Sequence, residues 1–257
     1  GKIYAVVAAG AYGISVVDMT GLLGTDTRPG MTLLKTFQPI KIEEEEEEGI
    51  HVGNADGKSV DVQIVNNIAY VSYDSFGIVA YRMSDLVMPL ADYQPPGQPA
   101  GVCAGVDPTK LFTPGGDGED TGTGTGTGSG SGSGGGGGSG SSSGVDCRPV
   151  AIGQYNLDNE SPELAALEGG AANMTAQFYP ANVLIDDGTG HTYKLDKPKV
   201  LLYVAYGDAG VIKLDWSDPL KPILLQHQDT AGDASATAIA NGRVYVADYD
   251  GGLVVFK

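Results

Sequence analysis

Aspartate recurs shortly before glycine where the chain must turn tightly, and these positions carry the clearest chemical signal in the sequence. Asp74 precedes Gly77, Asp208 precedes Gly210, and Asp248 and Asp250 precede Gly251 and Gly252. Carboxylate oxygens are the hard ligands of Ca²⁺, which takes about six to eight of them. If the turns share one face, Asp74, Asp208, Asp248 and Asp250 are candidate calcium ligands; no other cofactor is expected. The run Asp248-Tyr249-Asp250-Gly251-Gly252 is similar to the opening of a calcium loop, but the full Asp-x-Asp-x-Asp-Gly pattern with its distal Glu is absent. Asp before Gly is also ordinary hairpin chemistry. The structural reading therefore stands beside the metal reading here, and equally at Asp186-Asp187-Gly188 and Asp56-Gly57.

Other reactive residue types lack companions. His51, His191 and His227 are scattered, with no His-x-x-x-His or Cys-x-x-Cys spacing, which disfavours zinc. No Gly-x-Ser-x-Gly elbow occurs, and neither cysteine has the neighbours of an activated nucleophile. No catalytic residue is assigned. Two carboxylates at the mouth of a channel would suit glycoside hydrolysis, yet nothing in the sequence brings a particular two of the 32 acidic residues together. Cys103 and Cys147 bracket the segment of lowest complexity, as a loop-closing disulfide would. The chain-entropy model gives such a bond about 4 kcal/mol, and the bond implies an oxidising compartment, extracellular or at the cell surface. Asn173-Met174-Thr175 is a glycosylation sequon, and Asn159-Glu160-Ser161 is a second one weakened by Pro162.

The formal net charge of −17 disfavours nucleic acid and anionic membrane surfaces as partners, and leaves divalent cations and neutral glycans. No apolar run is long enough to insert in a membrane as a helix. The opening Gly1-Lys2-Ile3-Tyr4 reads as a strand rather than an export signal, so a processed or truncated chain is expected.

The elements that position these residues form a repeat. Four β-rich runs, around Val6-Val7, Tyr70-Val71, Tyr203-Val204 and Tyr245-Val246, are each followed by a glycine, Gly13, Gly77, Gly210 or Gly252. A second β-rich run then begins at Ile14, Ile78, Val211 or Leu253. This is strand, tight hairpin, strand. Upstream, Asn66-Asn67 and Asn241-Gly242 join a preceding strand through dipeptides that favour primed turns. Downstream, Met83-Ser84-Asp85 and Trp216-Ser217-Asp218-Pro219 read as turns into a further strand, as at Pro222 to His227 or Met31 to Gln38. Four consecutive antiparallel strands make one propeller blade, and Gly210 and Gly252 stand about one blade, roughly 40 residues, apart. The intervals from Gly13 to Gly77 and from Gly77 to Gly210 are longer. They hold insertions or, in the larger case, an eroded blade.

The segment Gly210-Val211-Ile212-Lys213-Leu214-Asp215-Trp216-Ser217-Asp218-Pro219-Leu220-Lys221-Pro222 resembles the LVIVD repeat of bacterial and archaeal secreted β-propellers. The second unit keeps Ser84-Asp85, and the first keeps Asp18 without the turn that follows. The resemblance implies architecture and is silent on activity, because propellers host enzymes, binding platforms and assembly subunits alike.

The sequence thus predicts a single all-β domain over 1–257, a β-propeller of four-stranded antiparallel blades with about four units. Residues 43–48, six consecutive glutamates, form an acidic loop insertion, and 103–147 form a disulfide-closed insertion rich in Gly, Ser and Thr. The first unit lacks its leading strand and the last its trailing one. Two readings follow: head-to-tail homo-oligomers or filaments completed by a neighbouring chain, or a longer propeller whose N-terminal part lies outside this chain. The functional expectation is a non-enzymatic extracellular scaffold. The alternative is a propeller enzyme of hydrolase type, or a small-ligand or glycan binder, using the central channel.

Overall fold

The computed structural model describes residues 1–23, 30–45, 49–55, 57–109, 111, 145–167, 169–186 and 190–256. The fold is all-β and antiparallel. The first sheet comprises β1 (Tyr4–Ala8), β2 (Ile14–Asp18) and β3 (Thr32–Phe37), followed by a separate hairpin of β4 (Ile40–Glu45) and β5 (Gly49–Asn54). The second sheet runs β6 (Asp61–Val65), β7 (Ile68–Ser72), β8 (Ile78–Arg82) and β9 (Gly153–Tyr155), in that order. In the third, β10 (Met174–Tyr179) pairs with β13 (Lys199–Ala205), then β14 (Val211–Asp215) and β15 (Ile223–Gln228). The hairpin β11 (Leu184–Asp186) and β12 (Thr192–Lys194) is inserted after β10. The fourth sheet comprises β16 (Ala236–Ala240), β17 (Arg243–Asp248) and β18 (Gly252–Phe256).

Local sequence accounts for the hairpins. Asn66 and Asn67 both have positive φ, as do Asn241 and Gly242, the geometry of a primed two-residue turn whose twist matches the strands it joins. The repeat glycine is needed on two counts at Gly77. Its φ is +90°, and an added Cβ would collide with the backbone carbonyl of Tyr155, the last residue of β9. Gly13 and Gly210 face Phe37 and Gln228 in the same way, whereas the space beside Gly252 is open. The hairpin glycine therefore marks where the fourth strand ends, and β18 has no such neighbour among the described residues.

Alternation along each strand divides the residues between two faces. Ile14, Val16 and Phe37 of the first sheet pack on Ala69, Val71, Val79 and Tyr81 of the second. The opposite face of the second sheet, with Tyr70, Ile78 and Ala80, packs on Leu202, Val204, Ile212, Leu214 and Trp216 of the third. Ala205 and Val211 then pack on Val246 of the fourth. Both faces of the second and third sheets are covered, which is why β7, β8, β13 and β14 read as nearly continuous apolar runs. Aromatic contacts bridge the layers, Phe37 with Tyr81 at 5.6 Å and Tyr70 with Trp216 at 5.2 Å between ring centroids. Each is an edge-on arrangement that adds about 1 kcal/mol beyond area burial.

One backbone link recurs between sheets. Gly10 bridges Ser59, Asp74 bridges Ala171 and Gly207 bridges Ala234, in each case a hairpin residue of positive φ meeting the segment that leads into the next sheet. Tyr249 holds the corresponding place in the last hairpin, with φ +28° and an exposed side chain.

Several expectations are refined. Met83-Ser84-Asp85 opens a one-turn helix, α1 (Met83–Val87), because Leu86 is drawn into the apolar layer between the first two sheets. The long interval from Gly77 to Gly210 holds insertions inside two sheets, one between β8 and β9 and one between β10 and β13. Among the described residues it holds no further sheet of the repeat. Glu43, Glu44 and Glu45 belong to β4, paired with β5, rather than to a loop; residues 46–48 lie outside the described residues, as does the Gly/Ser/Thr run. Asp18 does keep the following turn, since its Oδ1 accepts the Thr20 N–H at 2.8 Å just as Asp215 Oδ1 accepts that of Ser217 at 3.0 Å. Threonine supplies the same short turn as serine there.

Candidate functional site

The hairpin aspartates fall into two settings, Asp74 by itself and Asp208, Asp248 and Asp250 around Asp233. Asp74 donates nothing to a shared centre: its carbonyl accepts the Ala171 N–H at 2.9 Å, and its carboxylate lies against Gly170, where a Cβ would not fit. Asp248 is fully buried. Its two oxygens accept from Thr230 Oγ1 at 2.6 Å and from the Gly232 N–H at 3.0 Å, bonds that offset the cost of burying a carboxylate.

Asp208 finds a partner that sequence reasoning missed. The Gly207–Ala234 bridge sets Asp233 beside it. Hydrogen bonding to Asp208, then repulsion from Asp208, Asp248 and Asp250, holds the Asp233 carboxyl above its ordinary pKa. Asp250 is exposed at the rim of this small acidic patch. Among the described residues no group of three or more His, Cys, Asp or Glu side chains is placed to hold a metal ion. Asp56, Asp187 and Gly188 lie outside the described residues, and His227 spends its Nε2 on the Ala209 carbonyl at 2.7 Å.

The two cysteines, 44 positions apart in sequence, form a disulfide with Cα atoms 5.7 Å apart. The bond packs with Tyr93, whose hydroxyl accepts the Val150 N–H at 3.2 Å on the approach to β9. Beside it a depression of about 430 Å³ is lined by Arg82, Asp85, Met88, Asp92, Tyr93, Gln94, Pro96, Val150 and Ile152. Its lining includes neither a nucleophilic serine or cysteine nor a histidine base. Lys35, buried nearby, donates to the Asp85 carbonyl at 2.9 Å and lies 5.3 Å from the centre of the Tyr93 ring. Burial lowers its pKa to about 8, against the opposing pull of the Asp85 charge.

A second feature invisible to motif reading is a polar seam along the inner strands β6, β10 and β16, each the first strand of its sheet. Asp61 Oδ2 accepts the N–H of Met174 at 3.0 Å and the Asn173 side-chain amide at 2.9 Å. Asn173 Oδ1 in turn accepts the N–H of Thr237 at 3.2 Å, and Thr237 Oγ1 donates to the Tyr203 carbonyl at 2.9 Å. The same staple thus links the second sheet to the third and the third to the fourth. It also engages both ends of the Asn173 amide, so a glycan there would have to replace the Nδ2 hydrogen that does not bond Asp61. The sequence trace of this seam is a polar residue at or beside the start of a strand, Asp61 in β6, Asn173 just before β10 and Thr237 in β16.

No family model and no curated protein matches the chain. Among the described residues no helix is long and apolar enough to cross a membrane.

Proposed function

We propose that the chain is a non-enzymatic structural and interaction module of the cell exterior, a stack of propeller-type blades of the kind the LVIVD-like repeat implies, assembling head to tail. The recurring inter-sheet link carries this reading: Gly10 with Ser59, Asp74 with Ala171 and Gly207 with Ala234 join successive sheets by one rule. The repeat leaves bare edges. Among the described residues β1 pairs on one side alone, where β7, β13 and β17 pair on both, and β18 pairs on one side alone, where β2, β8 and β14 pair on both. Unpaired N–H and C=O groups on such edges template another strand, and heterologous contacts that do not close build filaments.

The acidic residues support the same reading, because Asp61, Asp215 and Asp248 use their oxygens on backbone N–H groups and hydroxyls. The disulfide favours an oxidising, extracellular setting. The test is light scattering and electron microscopy of the oxidised chain over a concentration series, with linear oligomers expected. A strictly monomeric species overturns the assembly reading. Turnover of a glycoside, phosphate-ester or lactone substrate that vanishes on replacing one carboxylate overturns the non-enzymatic one.

A further inference from the structure

We propose that the outward face of the fourth sheet docks a second copy of this chain, which seats the outward face of its own first sheet there. The inference rests on the assembly reading above and adds two sheet faces to the strand edges that reading names.

Successive sheets are packed by the same two positions of the repeat: the residue after the hairpin glycine in one sheet, and the residue six before that glycine in the next. Ile14 and Val71 share one apolar cluster, Ile78 and Val204 a second, Val211 and Val246 a third. All six are buried, Val211 being the most accessible at 6%. Each series leaves one member over. Leu253, the residue after Gly252, is 69% exposed, and Val7, six before Gly13, is 44% exposed. Leu253 and Val7 are the two halves of a fourth pair, separated to opposite ends of one chain and rejoined when a second copy docks.

The surroundings of each half fit. Strand register puts Ala247 opposite Leu253 and Tyr245 opposite the exposed Val255, so the fourth sheet's outward face is apolar over two adjacent strands. On the first sheet, Val7 shares its face with Ala5, Val17 and the exposed Leu33, while the residues directly across from it, Ser15 and Thr36, spend their hydroxyls on each other. Apolar faces at the two ends of a stack of repeats are what continued stacking buries.

The inner seam agrees. Asp61 and Asn173 each accept an N–H from the first strand of the next sheet, and Ala236 holds their place in the fourth sheet with no acceptor to offer. The contact is heterologous, so every docked copy keeps one free face of each kind and the line grows.

Sedimentation velocity of the full, disulfide-closed chain over a concentration series tests this. The wild type associates, L253D and V7D each weaken association by about tenfold or more (~1.4 kcal/mol), and L220D, exposed but off both faces, leaves it unchanged. Unfolding midpoints of the L253D and V7D monomers match the wild type, which separates docking from folding. Mixing V7C with L253C under oxidation gives a linked dimer that neither variant gives alone. If the wild type associates while both aspartate variants associate equally well and the mixture gives no linked dimer, the face assignment fails and the assembly reading stands. If the wild type is monomeric throughout, both fail.

Discussion

Asn173 donates its side-chain amide to Asp61 at 2.9 Å and accepts the Thr237 N–H at 3.2 Å, so one residue ties together the inner strands of three successive sheets. N173A should therefore cost about 1–3 kcal/mol in urea unfolding, the range for leaving partly buried partners unsatisfied. N173D should be worse at neutral pH than in mild acid, because it sets a second carboxylate against Asp61.

The repeat glycines should not be equally sensitive. Alanine at Gly77 must both hold φ near +90° and displace the Tyr155 carbonyl, whereas alanine at Gly252 meets only the strain of φ +73°. We expect G77A to cost at least 3 kcal/mol, roughly, and G252A about 1 kcal/mol. Chemical denaturation of the two variants beside the wild type compares them directly.

Lys35 gives the chain a dependence on alkaline pH. Its folded pKa, lowered to about 8, lies below the ordinary lysine value, so between the two the unfolded chain binds more protons. Stability should rise with pH from about 8 toward 10, by at most ~1.4 kcal/mol per pH unit for one group, and be flat in this respect below pH 8. Above pH 10 the buried tyrosines reverse the trend: burial raises Tyr70 to about 12 and Tyr206 to about 12, so ionising them favours unfolding. Denaturation curves of wild type and K35M across this range should converge as pH rises; parallel curves would refute the assignment.

Reduction of Cys103–Cys147 should lower stability by about 4 kcal/mol if loop closure dominates. The effect should also be local, because the bond packs with Tyr93, which holds Val150 on the approach to β9. Hydrogen exchange should quicken first at Gly153–Tyr155, while the strands of the third sheet keep their protection.

The hairpins were legible in the sequence for a local reason. Asn66-Asn67 and Asn241-Gly242 adopt positive φ because their own side chains permit it, and Gly77 is required by a turn only a few residues long. The disulfide was legible for a similar reason, since an isolated pair of cysteines has one possible partner each. The four-stranded order was legible only where the chain runs on without interruption. Strand β9 follows a long insertion, and nothing in Gly153-Gln154-Tyr155 announces that it completes the sheet begun at Asp61.

The acidic residues divide along the same line. The sequence by itself determined that Asp74, Asp208, Asp248 and Asp250 stand at turns, because a turn is set by the residues within it. Only the tertiary structure decided that Asp248 is buried and already bonded, that Asp208 meets Asp233, and that Asp61 reaches Asn173. Those contacts join residues far apart in the chain, and their distances follow from how the apolar faces of whole sheets pack. The exposure of Leu253 and Val7 was decided there too: each has the same local sequence setting as its buried counterparts, and differs in having no sheet of the described residues packed against it.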